Sequence, residues 1–312
     1  MGCYLVTGGA GFIGSHLVHA LVARGHKVRV LDDFSTGKKT NLADVLDKIE
    51  LVEASICDRD TVYDLMTGVD FCLHHAAIPS VPRSVQDPVT SNRVNVDGTI
   101  HVFLAARDRH VKRVIYASSS SVYGNNETFP AHEGLPVAPI SPYGVTKATN
   151  ELYAAVFSQL YGQEIVGFRY FNVFGPQQDP HSQYAAVVPL FITRLLAGSR
   201  PVIYGDGLQS RDFTFVQNVV EANLTVCRIE HPVAGVYNIA CGDSCRVIDL
   251  ARMISNLMGL EIEPEFAPAR PGDIRRSQAD ISRAQRVLGY TPMVSLADGL
   301  RQTIEWFKRN NP

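Results

Sequence analysis

The sequence predicts an α/β protein with a doubly wound parallel sheet and a smaller, mixed α/β lobe in its C-terminal part. Short apolar runs alternate with helix-period stretches through the first half of the chain, and the connections between them are short. That alternation is typical of parallel strands joined by crossover helices. A glycine-rich turn between the first strand and the first helix points the same way. At 312 residues the chain can bury one large α/β unit or two domains.

The elements of the first half follow in order. Apolar runs predict strands, and apolar residues three and four apart predict amphipathic helices. The predicted strands are Cys3 to Thr7, Lys27 to Leu31, Leu51 to Glu53, Val69 to His74, Val114 to Ala117 and Glu164 to Tyr170. The predicted helices are Phe12 to Ala23, Asp60 to Met66, Pro88 to Arg109 and Ser141 to Tyr161. Ligands of such sheets bind beyond the carboxyl ends of the strands.

The character of the chain changes after Asn172. A loop rich in proline and glutamine follows, and helices then mix with short strands without clean alternation. We expect residues 1–172 and about 213–240 to form a dinucleotide-binding domain. Residues of about 173–212 and 241–312 are expected to form the smaller lobe, which would close over the cofactor cleft.

The glycine turn is the clearest functional motif. Gly8, Gly11 and Gly14 are spaced GxxGxxG between a predicted strand and a predicted helix. Backbone at such glycines approaches a pyrophosphate closely, and the helix N-terminus faces the phosphates. The second strand ends at Asp32, whose carboxylate can accept hydrogen bonds from a ribose diol and would repel a 2′-phosphate. The pattern therefore favours NAD over NADP, although Lys38 and Lys39 lie nearby.

A tyrosine and a lysine form the candidate catalytic pair. Tyr143 and Lys147 are four residues apart at the start of a predicted helix, so both project from one face. Ser141 is a good N-cap, and Pro142 suits the first helical position. The helix dipole and the nearby ammonium are both expected to lower the pKa of Tyr143, giving a base that works near neutral pH.

Composition excludes several other classes of protein. The formal net charge is −2 and there is no basic run, so neither nucleic acid nor an anionic membrane is an expected partner. The apolar runs are too short to span a membrane, and no signal peptide precedes the first strand. The six cysteines show no metal-ligand spacing with histidine, so we expect no metal and ordinary thiols in a reducing cytoplasm.

Motifs along the whole chain resemble one family. They are TGGAGFIG, HHAA, NVDGT, ASSSSVYG, SPYGVTK, RYFNVFGP, QSRDF and RPGD. Together they resemble an extended short-chain dehydrogenase/reductase of the nucleotide-sugar 4-epimerase group, which acts on UDP-glucose or UDP-N-acetylglucosamine. The resemblance implies a Rossmann fold, tightly held NAD, a UDP-sugar substrate and a homodimer. The long helices Pro88 to Arg109 and Ser141 to Tyr161 could form a helix bundle between the subunits.

The resemblance also implies a reaction. Tyr143 would take the proton of the sugar 4-hydroxyl while hydride passes from C4 to NAD. The 4-keto sugar would then turn, and hydride would return to its other face. Lys147 would tune Tyr143 and hold the nicotinamide ribose, and Ser119 would bridge the 4-hydroxyl and Tyr143.

Further site residues carry over by motif. The pyrophosphate set is Gly8, Gly11, Phe12, Ile13 and Gly14, and the adenosine set is Asp32, Ser35, Thr36 and Gly37. Ile56, Ala76, Ala77, Asn95, Tyr143 and Lys147 complete the cofactor cleft. The substrate set is Ser80, Ser119, Ser120, Asn172, Arg211, Arg270, Asp273 and Ser277. One departure is Ser55, where the family often has an aspartate that contacts adenine.

Two features bear on the substrate. Related sugar 4,6-dehydratases and UDP-glucuronate decarboxylases carry an acidic residue at the position of Ser121, so its absence here favours epimerisation over elimination. The position of Ser277 corresponds to a gate beside the sugar's 2-substituent, and a small residue leaves room for an N-acetyl group. Arg275 and Arg276 leave open a UDP-hexuronic acid 4-epimerase. A catalytically silent NAD-binding protein on the same fold is the other alternative.

Overall fold

The structure is a computed structural model that describes residues 2–180, 186–269 and 274–310. The strands are β1 (Cys3–Thr7), β2 (Lys27–Asp32), β3 (Ile49–Glu53), β4 (Phe71–His74), β5 (Arg113–Ser119), β6 (Ile165–Tyr170), β7 (Val173–Phe174), β8 (Val202–Tyr204), β9 (Ser210–Arg211), β10 (Thr214–Phe215), β11 (Gly235–Ile239), β12 (Cys245–Arg246) and β13 (Glu265–Ala267).

The α-helices are α1 (Phe12–Ala23), α2 (Arg59–Leu65), α3 (Val81–Gln86), α4 (Pro88–Asn92), α5 (Gly98–Asp108), α6 (Pro142–Tyr161), α7 (Val187–Leu196), α8 (Val216–Arg228), α9 (Val247–Leu257), α10 (Ser282–Leu288) and α11 (Leu296–Asn310). Two 3-10 segments, Lys39–Lys48 and Ser120–Tyr123, and one π-helical segment, Arg93–Asp97, complete the described elements.

One seven-stranded sheet forms the centre of the molecule. Its order is β11-β6-β5-β4-β1-β2-β3, and every pair in it is parallel. The chain runs outward from β1 in one direction and from β4 in the other, so the order reverses between these two strands. This confirms the doubly wound parallel sheet. It also places a cleft at the carboxyl ends of β1 and β4, where such sheets bind their ligands.

Apolar layers cover both faces of the sheet. One contains Leu17 of α1 and Val219 of α8, and the other contains Phe103 of α5 and Phe157 of α6, all of them buried. Burial on both faces explains why the central strands read as continuous apolar runs rather than alternating ones. The sheet therefore has helices on both sides, as the doubly wound pattern requires.

A smaller lobe carries three two-stranded pairs, β7 with β10, β9 with β12, and β8 with β13. Its own apolar cluster includes Phe191 of α7, Leu250 of α9 and Phe307 of α11. The strand β11 lies in the large sheet beside β6, so the chain leaves that sheet after Tyr170 and returns at Gly235. Among the described helices, none combines the length and the apolar character that crossing a membrane requires.

The predicted helix from Pro88 to Arg109 is not continuous. It divides into α4, the π-helical segment and α5. The carbonyl oxygen of Asn95 accepts hydrogen bonds from two side chains, the hydroxyl of Thr99 at 2.7 Å and the amide of Asn150 at 2.9 Å. Side-chain insertion of this kind widens a helical turn locally. The helix α3 before it was missed, because its six residues are too few for a clear apolar period.

Candidate active site

The glycine turn after β1 forms the floor of the cleft. Gly8 has a φ of +69°, and a Cβ there would lie 2.6 Å from the backbone nitrogen of Ala76. A Cβ on Gly14 would overlap the carbonyl oxygen of Gly8. Helix α1 begins after Gly11 without a side-chain cap, so the N–H groups of its first turn can bind a ligand. This cradle fits the pyrophosphate of a dinucleotide.

Asp32 lies buried beside the glycine turn at the end of β2. Its two carboxylate oxygens accept hydrogen bonds from the backbone N–H groups of Ala10 and Phe34, each at 2.8 Å. Burial raises the pKa of Asp32, and these two bonds partly offset the rise. The exposed Ser35 and Thr36 follow, and Gly37 packs against Asp32, where a Cβ would lie 2.8 Å from the carboxylate.

The two lysines near Asp32 are both paired with carboxylates. The Lys38 ammonium lies 3.4 Å from Asp179, and the Lys39 ammonium lies 2.7 Å from Glu53. Both are exposed pairs, which contribute little to stability. They nevertheless reduce the net positive charge around the end of β2.

Other predicted cofactor residues differ in what their side chains do. Ile56 is buried against Gly98, and the backbone N–H of Ala76 donates to the hydroxyl of Thr7 at 3.3 Å. The Ser55 hydroxyl accepts the N–H of Cys57 at 3.2 Å and so closes a local turn. The buried side-chain amide of Asn95 accepts the N–H of Ile78 at 2.7 Å and donates to the carbonyl of Ile78 at 3.2 Å. Asn95 therefore anchors the segment after β4.

A buried polar chain that the sequence analysis missed lies below the cleft. The Thr99 hydroxyl donates to the carbonyl of Asn95, so it must accept from Nε2–H of His74 at 2.9 Å. Nδ1 of His74 then accepts from the Thr7 hydroxyl at 2.6 Å. Burial lowers the pKa of His74 to about 3, so the ring stays neutral. This chain joins the ends of β1 and β4 to helix α5.

Helix α6 carries the candidate catalytic pair at its first turns. The Ser141 hydroxyl accepts the N–H of Gly144 at 3.1 Å, as an N-cap should, and Pro142 follows it. The buried Lys147 ammonium donates to the carbonyl oxygen of Ala117 at 2.7 Å, and it lies 5.7 Å from the centre of the Tyr143 ring. Burial lowers the pKa of Lys147 to about 8.

The pKa of Tyr143 corrects a prediction. Helix dipole and ammonium were expected to lower it, but burial raises it above its ordinary value, and a hydrogen bond with Ser119 only partly offsets the rise. The reason is that desolvation disfavours the phenolate more strongly than the surrounding groups favour it.

The serine cluster ends β5 at the same point. The Ser119 hydroxyl accepts the backbone N–H of Ser121 at 3.1 Å and lies 3.1 Å from the Ser121 hydroxyl. Ser119, Ser120 and Ser121 are all half-buried. The structure thus brings Ser119 to Tyr143 and leaves hydroxyls rather than carboxylates on this side of the site.

A buried ion pair ties α6 to the sheet behind these residues. Arg169 of β6 donates to Glu151 at 2.9 Å and 2.6 Å, and the Ser118 hydroxyl donates to the same carboxylate at 2.5 Å. The two charged side chains are 3% and 7% exposed. Glu151 lies one turn after Lys147, on the same face of α6. An arginine inside the apolar strand β6 was the signal for this pair, because a buried cation requires a partner.

The smaller lobe contributes a cavity of about 350 Å³. Asn172 and Arg211 supply polar groups to its wall, and Val187, Phe191 and Tyr204 are among its other residues. The Asn172 amide donates to the carbonyl oxygen of Asp212 at 3.1 Å, which fixes it beside β9. Two predicted substrate residues, Asn172 and Arg211, are therefore brought together.

The segment that carries Ser277 is held by its main chain. The N–H of Ser277 donates to Ser210 at 3.0 Å, and the carbonyl of Gln278 accepts from Ala131 at 2.8 Å. Ser277 itself is half-buried. Arg270 and Asp273, also predicted for the substrate site, lie outside the described residues.

Asp212 holds the same segment from below. Its fully buried carboxylate accepts the N–H groups of Cys241 at 2.9 Å, Gly242 at 3.0 Å and Ala279 at 3.2 Å. Burial raises the pKa of Asp212 to about 6, because these bonds offset the desolvation only in part. Asp212 thereby joins β9, the end of β11 and the Ser277 segment, a role that the sequence analysis missed.

The loop after β4 ends in α3, which packs against α6. The Ser80 hydroxyl caps α3 by accepting the N–H of Arg83 at 3.2 Å. Ser84, which the sequence analysis did not single out, accepts the backbone N–H of Tyr143 at 2.9 Å and donates to the carbonyl of Val81 at 2.6 Å. The predicted substrate residue Ser80 therefore caps α3. Ser84, four residues later, holds the main chain of Tyr143.

Comparison with known proteins agrees with this geometry. A model of the NAD dependent epimerase/dehydratase family matches residues 4–240. A UDP-glucose 4-epimerase of Mycolicibacterium smegmatis is 42% identical over 318 residues, which cover 98% of this chain and 99% of the relative.

Solved structures are similar over the whole chain. UDP-N-acetylglucosamine 4-epimerase from Methanobrevibacter ruminantium, in complex with UDP-N-acetylmuramic acid, is 40% identical with a TM-score of 0.95, and the match covers 99% of each chain. UDP-glucose 4-epimerase from Thermus thermophilus, in complex with NAD, is 35% identical with a TM-score of 0.88, and the match covers 98% of this chain and 99% of that one.

The parallel sheet and the glycine turn at its switch point define a Rossmann-type dinucleotide-binding protein. More particularly, the chain belongs to the NAD-dependent epimerase/dehydratase family, within the extended short-chain dehydrogenases/reductases. Its cofactor is therefore NAD, and the resemblance found in the sequence is confirmed.

Proposed function

We propose that this enzyme inverts C4 of a UDP-hexose through a 4-keto intermediate, acting on UDP-GlcNAc and UDP-GalNAc as well as UDP-Glc and UDP-Gal. The observation that carries the proposal is the meeting of Ser119, Tyr143 and Lys147 where β5 ends against α6. The hydroxyl at Ser121, where elimination would need an acid, favours epimerisation over dehydration. These intact groups also argue against a catalytically silent protein.

The cleft would hold NAD through the glycine turn, Asp32 and the residues around them. When bound, NAD supplies hydride acceptance and return at C4. The buried Asp32 carboxylate would accept the ribose hydroxyls with the acceptor capacity that Ala10 and Phe34 leave. Paired Lys38 and Lys39 offer less attraction to a 2′-phosphate, which supports NAD rather than NADP.

Proton transfer would belong to Tyr143 and Ser119. Tyr143 would take the proton of the 4-hydroxyl in its phenolate form, which the raised pKa makes the minor form at neutral pH. The same residue would return the proton when the 4-keto sugar is reduced. Ser119 would position the sugar oxygen against the phenol. Lys147, with a pKa of about 8, is mainly protonated at neutral pH, and its charge 5.7 Å from the ring centre favours the phenolate.

The smaller lobe would bind the UDP group. Asn172 and Arg211 share the wall of the cavity of about 350 Å³, and an arginine fork suits a diphosphate because it donates paired, charge-assisted hydrogen bonds. Arg270 and Asp273 are proposed as further substrate contacts, because the family resemblance implies them.

The alternative of a hexuronic acid substrate is disfavoured by two contacts. Arg275 makes two hydrogen bonds to Asp206, at 3.0 Å and 2.9 Å. Arg276 donates to Gln278 at 2.9 Å and lies over the Phe129 ring. Both arginines therefore already have partners within the protein, which disfavours their binding a C6 carboxylate. The small, half-buried Ser277 supports the N-acetylated sugars instead.

The proposal is tested by incubating the purified enzyme with UDP-Glc, UDP-Gal, UDP-GlcNAc, UDP-GalNAc and UDP-glucuronic acid separately. Products are separated by chromatography, in both directions and with or without added NAD. We expect the C4 epimers of the four hexose and N-acetylhexosamine substrates. Turnover of UDP-glucuronic acid alone would overturn the substrate assignment. No turnover of any of the five would overturn the epimerase proposal.

We also propose a homodimer. Val89 of α4 and Val145, Leu152, Val156 and Leu160 of α6 are exposed apolar side chains, with Leu152 70% and Leu160 66% exposed. Adjacent apolar side chains on a helix surface favour association. Light scattering should give the mass of two chains. Leu152→Glu should give one chain, whereas Met293→Glu, at another exposed apolar residue, should leave the dimer intact.

The division into domains remains a proposal. Residues 1–172 and about 213–240 would form the NAD-binding domain, and about 173–212 and 241–312 the UDP-sugar lobe. The six cysteines are free thiols, which supports a reducing cytoplasm.

A further inference from the structure

The main chain of Tyr143 is held from outside its own helix. Position 142 is proline and has no N–H, Gly144 donates to the Ser141 hydroxyl, and Val145 donates to the Ser141 carbonyl. The N–H of Tyr143 is left, and it donates to Ser84 of α3 at 2.9 Å. A serine far away in sequence thus completes the N-terminal turn of α6, at the very residue that would act as the base.

The direction of each hydrogen bond at Ser84 is defined. Its hydroxyl hydrogen points to the carbonyl of Val81 at 2.6 Å, so its oxygen is available as the acceptor for Tyr143. Ser84 is fully buried. Water cannot replace the oxygen at such a position, so removing it leaves a buried N–H without an acceptor.

The carbonyl side of Tyr143 is held as well. The buried Thr146 hydroxyl donates to the Tyr143 carbonyl at 2.7 Å and accepts from the Asn95 amide at 3.2 Å. Asn95 also binds both main-chain groups of Ile78. The segment 78–84, which includes the start of α3, is therefore bound to Tyr143 at both of its ends, through Asn95 and Thr146 at Ile78 and directly at Ser84.

We propose that Ser84 is a positioning residue for Tyr143, which fixes the position of the phenol relative to Ser119. This role rests on the proposed function. The bond acts on the main chain of the proposed base, and Ser84 belongs to neither the proposed UDP contacts nor the proposed NAD contacts. Its loss should therefore lower the rate of proton transfer and leave ligand binding largely unchanged. A misplacement of about 1 Å at a reacting group can cost on the order of 100-fold in rate.

The test compares Ser84→Ala with Ser91→Ala. Ser91 is a matched control, because it is 1% exposed on the neighbouring helix α4, and its hydroxyl donates at 2.9 Å to the carbonyl of Asp87, the N-cap residue of that helix. We expect kcat of Ser84→Ala to fall roughly 10- to 100-fold with little change in KM or in the Kd of UDP. The alkaline rise of kcat should move to higher pH, because the Ser119 bond that lowers the pKa of Tyr143 is weakened. Ser91→Ala should change neither kcat nor its dependence on pH.

Amide hydrogen exchange gives a readout that needs no turnover. The Tyr143 amide should exchange faster in Ser84→Ala than in the parent or in Ser91→Ala. If the parent converts no UDP-sugar, the proposed function fails, and unchanged exchange would separately overturn the Ser84 contact. If Ser84→Ala does not fold, Ser84→Cys keeps most of the volume with a weak acceptor and should show the same changes. A kcat equal to that of Ser91→Ala, or equal losses of kcat and UDP binding, would overturn the positioning role.

Discussion

Lys147 donates a 2.7 Å hydrogen bond from its ammonium to the carbonyl oxygen of Ala117, and Ala117 lies two residues before Ser119 on β5. One strand end therefore positions both the lysine and the serine that flank Tyr143. Since Ser118 between them binds Glu151 of the same helix at 2.5 Å, three successive residues of β5 are coupled to one face of α6. The geometry of the candidate catalytic group thus depends on the contact of β5 with α6, in addition to the bond between Ser84 and the main chain of Tyr143.

Tyr143→Phe should abolish most of the activity. The variant keeps the ring and loses the hydroxyl, and general acid–base catalysis contributes roughly 10²- to 10⁴-fold. We expect kcat to fall by at least that factor while the Kd of UDP is retained. Tyr153→Phe is the control, because Tyr153 is 38% exposed on the same helix. Near-parental kcat in Tyr143→Phe would refute the assignment of the base.

Asp32→Ala should relax the choice of cofactor. The parent is expected to bind NAD much more tightly than NADP, because the buried carboxylate repels a 2′-phosphate. Competition titrations of both cofactors should show that the ratio of dissociation constants narrows in the variant. Asp33→Ala, at the exposed neighbour, should leave the ratio unchanged. Equal affinities in the parent would show that Asp32 does not select NAD.

Ser277→Tyr should separate the two pairs of sugars. A phenol ring at this half-buried position would occupy the space proposed for the N-acetyl group. We expect turnover of UDP-GlcNAc and UDP-GalNAc to be lost and turnover of UDP-Glc and UDP-Gal to be largely kept. Ser277→Ala, which stays small, should accept both pairs. If the tyrosine variant loses both pairs equally, or neither, Ser277 is not the gate.

Asp212 should make stability depend on pH. Its pKa rises from an ordinary value of 3.8 to about 6 in the folded state, so the folded protein holds this proton more tightly than the unfolded chain. The resulting stabilisation is complete below the unfolded pKa and is lost as pH rises through about 6. The loss should be on the order of 1–3 kcal/mol.

Urea unfolding at about pH 4.5 and about pH 7 measures this effect. In the parent, the free energy of unfolding should fall between these two pH values by the Asp212 contribution. In Asp212→Asn that part of the fall should be absent. Asp243→Asn, at the exposed neighbour, should behave like the parent. An identical pH dependence in parent and Asp212→Asn would contradict the raised pKa.

Local patterns carried most of what the sequence could predict. The turn of Gly8 and Gly14, the strand ending at Asp32 and the pairing of Tyr143 with Lys147 all depend on residues a few positions apart. Helix and strand periods fix such relationships without knowledge of the rest of the chain. The parallel sheet followed from the alternation of elements in the same way.

Contacts between distant segments could not be predicted in this way. Ser84 meets Tyr143, and Arg169 meets Glu151, only because the fold brings α3, α6 and β6 together. The predicted lowering of the Tyr143 pKa was wrong for a related reason. Its direction depends on how much surface the packed chain removes from water, which spacing along a helix does not specify.

The segment around Ser277 contributes backbone groups to three of its attachments, the N–H of Ser277, the carbonyl of Gln278 and the N–H of Ala279. A change of side chain at 277 therefore leaves every one of these attachments in place. If Ser277 faces the sugar as proposed, substitution there would alter the shape of the sugar pocket and leave these backbone attachments intact. On that proposal, a single substitution at position 277 would change substrate preference without a compensating change elsewhere in the chain.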